Sequence, residues 1–301
     1  MENAKVIVYH YCSAEIFQKI IETRTLRLAD ITKSNDTAEI LWITQFIDDA
    51  IEQEYQRQEK AFRDKCSLDS VIMRKAKYYQ ASYWGEFSRY AHFVSCFTGK
   101  GDSIGQWCRY ADDEKGFAIG FSSECFEQFT LPENQSDIFY RYGCVEYNEK
   151  EQRNLVNDSV KSMFKQLNEV LIQEKHEGYI NGAIGRQLSE LFRTAAFCKN
   201  SFFSEEEEYR AYIRWDTKDP CSKNIKIVCK TNQKIVASLK YTHYTKKGTL
   251  CPCIDATFEA HFPIVKVMIG PKNVCSEGEI QNYLREYGIK CDVSRSKGTY
   301  I

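Results

Sequence analysis

Hydrophobic and polar positions alternate and cluster along this chain in a way that marks most of its elements. Lys5 to Tyr11 (KVIVYHY) is rich in β-branched and aromatic residues and predicts a strand. In the following SAEIFQKIIETRT, Ile16, Phe17, Ile20 and Ile21 fall on one helical face, with Ser13 as the N-cap. TLRLAD predicts a second short strand and KSNDTAE a polar turn. The charged, Pro-free stretch 39–83 predicts two weakly amphipathic helices. FVSCFT and GFAIGF predict buried strands flanking a helical DSIGQWCRYADDE, and DIFYRYGCVEY a further strand. Residues 149–198 are again helical, with breaks near Gly178, Gly182 and Gly185. YRAYIRW, IKIVCKT and IVKVMIG predict late strands, followed by the helix EGEIQNYLREYG and the short strand IKCDVS.

Strands interrupted by helical stretches, without a βαβ rhythm, predict an α+β fold. Nothing reads as a linker, so the expectation is one domain over residues 1–301 with helical inserts near 39–83 and 149–198.

Composition narrows the class. Hydrophobic residues make up 43% and aromatic residues 14% of the 301, enough for a packed core. The net charge of -1 names no partner, so any electrostatic preference has to be local. No basic-then-apolar leader and no bilayer-length apolar window is present, which predicts a protein that stays in the cytoplasm and off the membrane. Thirteen cysteines, with Cys251 and Cys253 the closest pair and no CxxC, predict free thiols and no metal.

Four local patterns could carry chemistry. The first is KNSFFSEEEEYRAYIRW. The glutamates lead straight into an apolar strand, and by strand alternation Glu206, Glu208 and Arg210 share one face. Paired carboxylates beside a guanidinium suit a reaction that develops positive charge on a sugar; the same run also reads as a solvated acidic turn. The second is YHYCS, where Tyr9 and Tyr11 share one face and His10 takes the other, fit for a ribose contact or for a merely structural role. The third is SNDTAE, with Asn35, Asp36 and Glu39, which doubles as a helix cap. The fourth pairs the strand around Ser95 with Trp107 and Tyr110, an aromatic wall or simply core.

Taken in order, Tyr9-His10-Tyr11 with Ser13, Asn35-Asp36 with Glu39, Ser95 with Phe97, Trp107 with Tyr110, Gly116, and Lys199, Phe203, Glu206, Glu208 and Arg210 form a set. This set resembles a prokaryotic domain family of unknown function found beside defence and toxin genes. That family in turn resembles divergent ADP-ribosyltransferases. The resemblance implies a split or bent mixed β-sheet with NAD in its cleft and no metal. It implies that His10 holds a ribose, that Ser95 or Tyr110 lies near nicotinamide, and that Glu208 bonds the nicotinamide ribose. Glu206 would serve the acceptor. Tyr9, Tyr11, Ser13, Asn35, Asp36, Trp107, Lys199 and Arg210 would complete the NAD site. A Glu208→Gln variant is then expected to lose turnover with its melting temperature nearly unchanged.

The implied activity is ADP-ribosyl transfer to a macromolecule, in a toxin or phage-defence effector with an antitoxin or regulatory partner. NAD hydrolysis and a non-catalytic binding module stand as alternatives. From Cys221 to Leu250 seven lysines, Lys223 to Lys247, carry no Asp or Glu among them, with Tyr241 and Tyr244 inside the run. Lysines interleaved with rings suit single-stranded nucleic acid as the acceptor; a basic, solvated hairpin fits equally.

Overall fold

A computed structural model describes residues 6–33, 39–62, 90–132, 138–172, 191, 193–216, 225–259 and 261–298. Asn35, Asp36, Lys223 and the expected glycine breaks lie outside these, as does the whole stretch 63–83. The chain is α+β and divides into two compact units. One comprises Met1–Ile31, His92–Cys144 and Glu205–Ile301; the other comprises Thr32–Ala91 and Val145–Ser204. The two stretches expected as helical inserts therefore belong together in the second unit.

The first unit is built on a large mixed sheet. Its strands are β1 (Ile7–Cys12), β2 (Thr25–Asp30), β3 (Tyr90–Thr98), β4 (Phe117–Ser122), β5 (Phe129–Thr130), β6 (Ile138–Cys144), β7 (Glu208–Asp216), β8 (Ile225–Cys229), β9 (Ile235–Lys246), β10 (Thr249–Phe258), β11 (Ile264–Ile269) and β12 (Asp292–Arg295). They run in the order β12-β11-β4-β1-β3-β2-β10-β9-β8-β5, with β7 on β3 and β6 on β7. Strand β3 has three partners. β1 meets it at Thr98 and β2 at Val94 and Phe93, so the sheet forks there. Only β11 and β12 among the described pairs run parallel.

Local sequence explains the elements around β1. Helix α1 (Ala14–Thr23) starts where the Ser13 hydroxyl accepts the Ile16 N–H at 3.3 Å, and it buries Phe17, Ile20 and Ile21. Ile16 departs from the expected stripe and is exposed. The helix ends at Arg24, which adopts a left-handed φ of 52°. On one face of β1, Tyr9 and Tyr11 pack with Trp107, Ala111, Ala118 and Met268. Gly116, at the start of β4, is demanded by space: a Cβ there would lie 2.0 Å from the Cys12 carbonyl oxygen.

The second unit is organised by two 24-residue helices, α2 (Glu39–Phe62) and, after the short α3 (Ile104–Tyr110) and α4 (Ser123–Glu127) of the first unit, α5 (Glu149–Ile172). Ile43, Phe46, Ile47, Ala50 and Ile51 make an i, i+3, i+4, i+7, i+8 stripe on α2. That stripe packs on Val156, Val160, Met163 and Phe164 of α5. Each such side chain contributes about 1.5–3 kcal/mol by leaving water. Asn148 opens α5, its side-chain oxygen accepting the N–H groups of Lys150 and Glu151. Gln152, fully buried, donates to the Glu146 and Lys199 carbonyls and accepts from the Trp42 indole at 2.9 Å, so its amide is satisfied at both ends.

Candidate active site

The glutamate run is where the structure concentrates charge. Ser201–Glu206 forms a short 3-10 turn, Glu207 takes a left-handed φ of 42°, and β7 begins at Glu208. Glu206 is thus not on the strand, as simple alternation requires. The turn nonetheless buries Glu206 (6% exposed), Glu208 (5%) and Arg210 (1%) while Glu207 faces solvent.

Each of the three carboxylates meets a different cation. Glu208 is clasped by Arg210 through two bonds, 2.8 Å from Nε and 3.0 Å from Nη2. Both groups are buried, so this bidentate pair is strong in place and costly to break. Glu207 lies 3.1 Å from Lys100 Nζ. Glu206 Oε1 accepts from Arg109 Nη1 at 3.1 Å and from the Tyr110 hydroxyl at 3.2 Å. The loop before α3 holds this arrangement. Lys100 donates to the Glu205 carbonyl at 2.8 Å, and the Gly99 N–H reaches the Glu207 carbonyl at 3.3 Å. Tyr11 ties the same loop to β1, donating to the Lys100 carbonyl and accepting the Ser103 N–H.

The sequence-derived site therefore comes together in part. Glu206 meets Tyr110, and Glu208 meets Arg210, as two pairs. Tyr11 serves them indirectly, and burial raises the pKa of its phenol, so it stays protonated. Trp107 is 1% exposed, stacked edge-on against Tyr11 at 4.6 Å with its N–H on Asp102. It is core rather than the wall of a cleft. Asp102 also accepts from the Ser296 hydroxyl and the Lys297 N–H; burial alone would raise its pKa, but these bonds hold it below the usual value.

His10 and Ser95 correct the expectation of a single cleft. The His10 ring lies 5.9 Å from Phe97 and bonds the Cys96 carbonyl through Nδ1 at 2.9 Å. Phe97, Ser95, Ala211 and Ile213 line a small apolar cavity of ≈ 20 Å³. On β7 the opposite face carries Glu208, Arg210 and Tyr212, and Tyr212 bonds His92 at 2.7 Å. His10 and Glu208 thus project from opposite faces of the sheet, because side chains alternate along β3 and β7. His10 does not share a site with Glu208; Tyr11 has the face assigned to it. Ser95 is likewise a core residue, its hydroxyl buried with no hydrogen-bond partner among the described residues.

The remaining residues fall elsewhere. Ser13 caps α1. Tyr9 packs against the Trp107 cluster. Lys199 is buried in the second unit with its ammonium 4.9 Å from the Phe203 ring centroid. In the lysine run, Lys226 pairs with Glu259 and Lys230 donates to the Glu127 carbonyl. Tyr241 turns toward Phe93 and Trp215, and Tyr244 lies under Arg27. The two rings are engaged within the protein and do not form an open stacking platform.

Sequence reasoning missed Arg109 and Lys100, the cations facing Glu206 and Glu207. Arg109 adjoins Tyr110 in the WxxYA pattern, and Lys100 stands between two glycines, but neither context names a glutamate as partner.

A family model described as "Protein of unknown function (DUF2971)" matches residues 106–211, so a domain of that family is found over this stretch. The match begins just before Trp107 and ends just after Arg210, taking in Arg109, Tyr110, Glu206 and Glu208. No curated protein and no solved structure matches the chain. No helix among the described residues is long and apolar enough to cross a membrane.

Proposed function

We propose that the protein splits the nicotinamide–ribose bond of NAD and passes ADP-ribose to a macromolecular acceptor. Glu206 carries this reading: a buried carboxylate whose contacts include a neutral phenol, Tyr110, and a half-exposed guanidinium, Arg109. When the glycosidic bond breaks, its electron pair leaves with nicotinamide and positive charge develops at C1′. A fixed, ionised carboxylate stabilises that charge. Glu206 takes this role, with Tyr110 and Arg109 orienting it. Glu208, both of its oxygens engaged by Arg210, anchors the start of β7 instead. An acceptor lone pair then closes on C1′, and its proton is lost to solvent. With water as the acceptor, the same site is an NAD hydrolase.

A second reading rests on one observation: Glu206, Glu207 and Glu208 each meet a cation, as a purely structural turn would arrange. Incubation of the full chain with NAD labelled in its adenylate, together with cell lysate, separates the two. Label on protein or on nucleic acid supports transfer and names the acceptor class, and free ADP-ribose alone supports hydrolysis. Glu206→Gln should then lower turnover by about 10²-fold or more. No label in any fraction, with wild-type protein shown to be folded, leaves the binding-module reading.

A further inference from the structure

A second cluster lies at the turn between α3 and β4, apart from the chemistry assigned to Glu206. The Cys108 thiol and the carboxylates of Asp113 and Glu114 offer three ligand atoms within 4.8 Å of one another. Cys108 Sγ stands 3.2 Å from Glu114 Oε1. Two ligands of one tetrahedral zinc-class ion, with bonds of about 2.3 Å to sulfur and 2.0 Å to oxygen, stand roughly 3.5 Å apart, so this spacing needs little adjustment.

An independent observation points to a missing cation. Glu114 is 1% exposed, and its other oxygen, Oε2, is buried without a hydrogen-bond partner among the described residues. A carboxylate oxygen buried without a partner in this way is expensive unless another group satisfies it. Lys272 supplies one loosely: its ammonium lies 3.4 Å from both Glu114 Oε1 and Asp113 Oδ2, longer than the about 2.8 Å of a tight charge-assisted bond. Cys108 and Asp113 are exposed, so an ion has a route in.

We propose that Cys108, Asp113 and Glu114 form a binding site for a zinc-class divalent cation, which displaces the Lys272 ammonium. Binding deprotonates the Cys108 thiol, and the proton goes to the buffer. Three protein ligands leave a fourth position to water, and the thiolate selects against magnesium and calcium.

Cobalt(II) is the probe, because a thiolate-to-cobalt charge-transfer band in the near ultraviolet reports the sulfur ligand directly. Titration of the full chain should give one saturating band that zinc bleaches. Cys108→Ala should abolish the band, Asp113→Asn should weaken binding, and Lys272→Gln should strengthen it by removing the competing ammonium. Far-ultraviolet circular dichroism of each variant checks that it is folded, and Cys108 and Asp113, being exposed, are suited to substitution. No band with folded wild-type protein overturns the proposal. So does a band that survives Cys108→Ala, since the chain has 13 cysteines, or a Lys272→Gln variant that binds no more tightly.

Discussion

Arg210 and Glu208 change the meaning of a substitution that looks conservative. Gln at position 208 keeps the shape of Glu but removes the charge that Arg210 grips with two bonds in a site 5% and 1% exposed. Breaking a buried pair from one side costs about 3–5 kcal/mol, because a buried guanidinium loses the carboxylate that it grips with two bonds. Glu208→Gln is therefore expected to lower the melting temperature substantially, contrary to the expectation drawn from sequence. Thermal unfolding followed by circular dichroism checks this; an unchanged midpoint would mean that Arg210 finds another anion. His10 gives a pH-dependent counterpart. Burial lowers its pKa, and its bond to the Cys96 carbonyl opposes this only in part. A depressed pKa favours the neutral ring in the folded state, so the linked stability is complete above the unfolded value of about 6.5 and is lost as pH falls through the folded value. A His10→Gln variant should show a shallower loss of stability on acidification from about pH 6.5.

At the scale of elements, the turn from α3 into β4 is fixed by backbone contact. Gly116 lies against the Cys12 carbonyl of β1, and its own N–H reaches the Ala111 carbonyl at 2.7 Å. Gly116→Ala should cost about 3 kcal/mol, the upper end of ordinary overpacking, since backbone on both sides cannot yield as a side chain would. Urea denaturation of the variant measures it. The elements also show what sequence could reveal. Ser13 as a cap, the split of Tyr9 and Tyr11 from His10 across β1, and most late strands were legible, because each is decided within a few residues. The Ser276–Glu279 capping box that opens the last helix, α6 (Glu277–Glu286), is local in the same way. The stripe from Ile43 to Ile51 was present in the sequence but hidden among charges, and its burial emerges only with α5 opposite it.

At the scale of the whole molecule, the candidate site was legible only in its ingredients. Alternation orders side chains within β1 and within β7, but whether His10 and Glu208 share a side depends on β3, which joins the two strands. The register at Tyr9 and Thr98 decides it, and no pattern in either strand records that register. Arg109 and Glu206 are similarly brought together by the chain's path and not by spacing. The odd, CxxC-free set of cysteines led to an expectation of free thiols, and no disulfide joins any of the described cysteines. A Cys108, Asp113, Glu114 cluster has no recognisable metal-site spacing, so it could be found only once the turn was folded.

The pairing of β2 with β10 has a consequence for how this protein is made. Leu26 and Leu28 lie beside Ala256 and Ile254, nearly the whole chain apart. A ribosome must therefore deliver almost everything before β2 acquires that neighbour, and until then its edge stands open to any other strand. Loop closure over such a span is slow, and folding of the first unit should be set by this late event rather than by its early helix. A chain that stopped short of β10 would not be a smaller version of the protein but a sheet with an unpaired edge, and so a target for chaperones and aggregation.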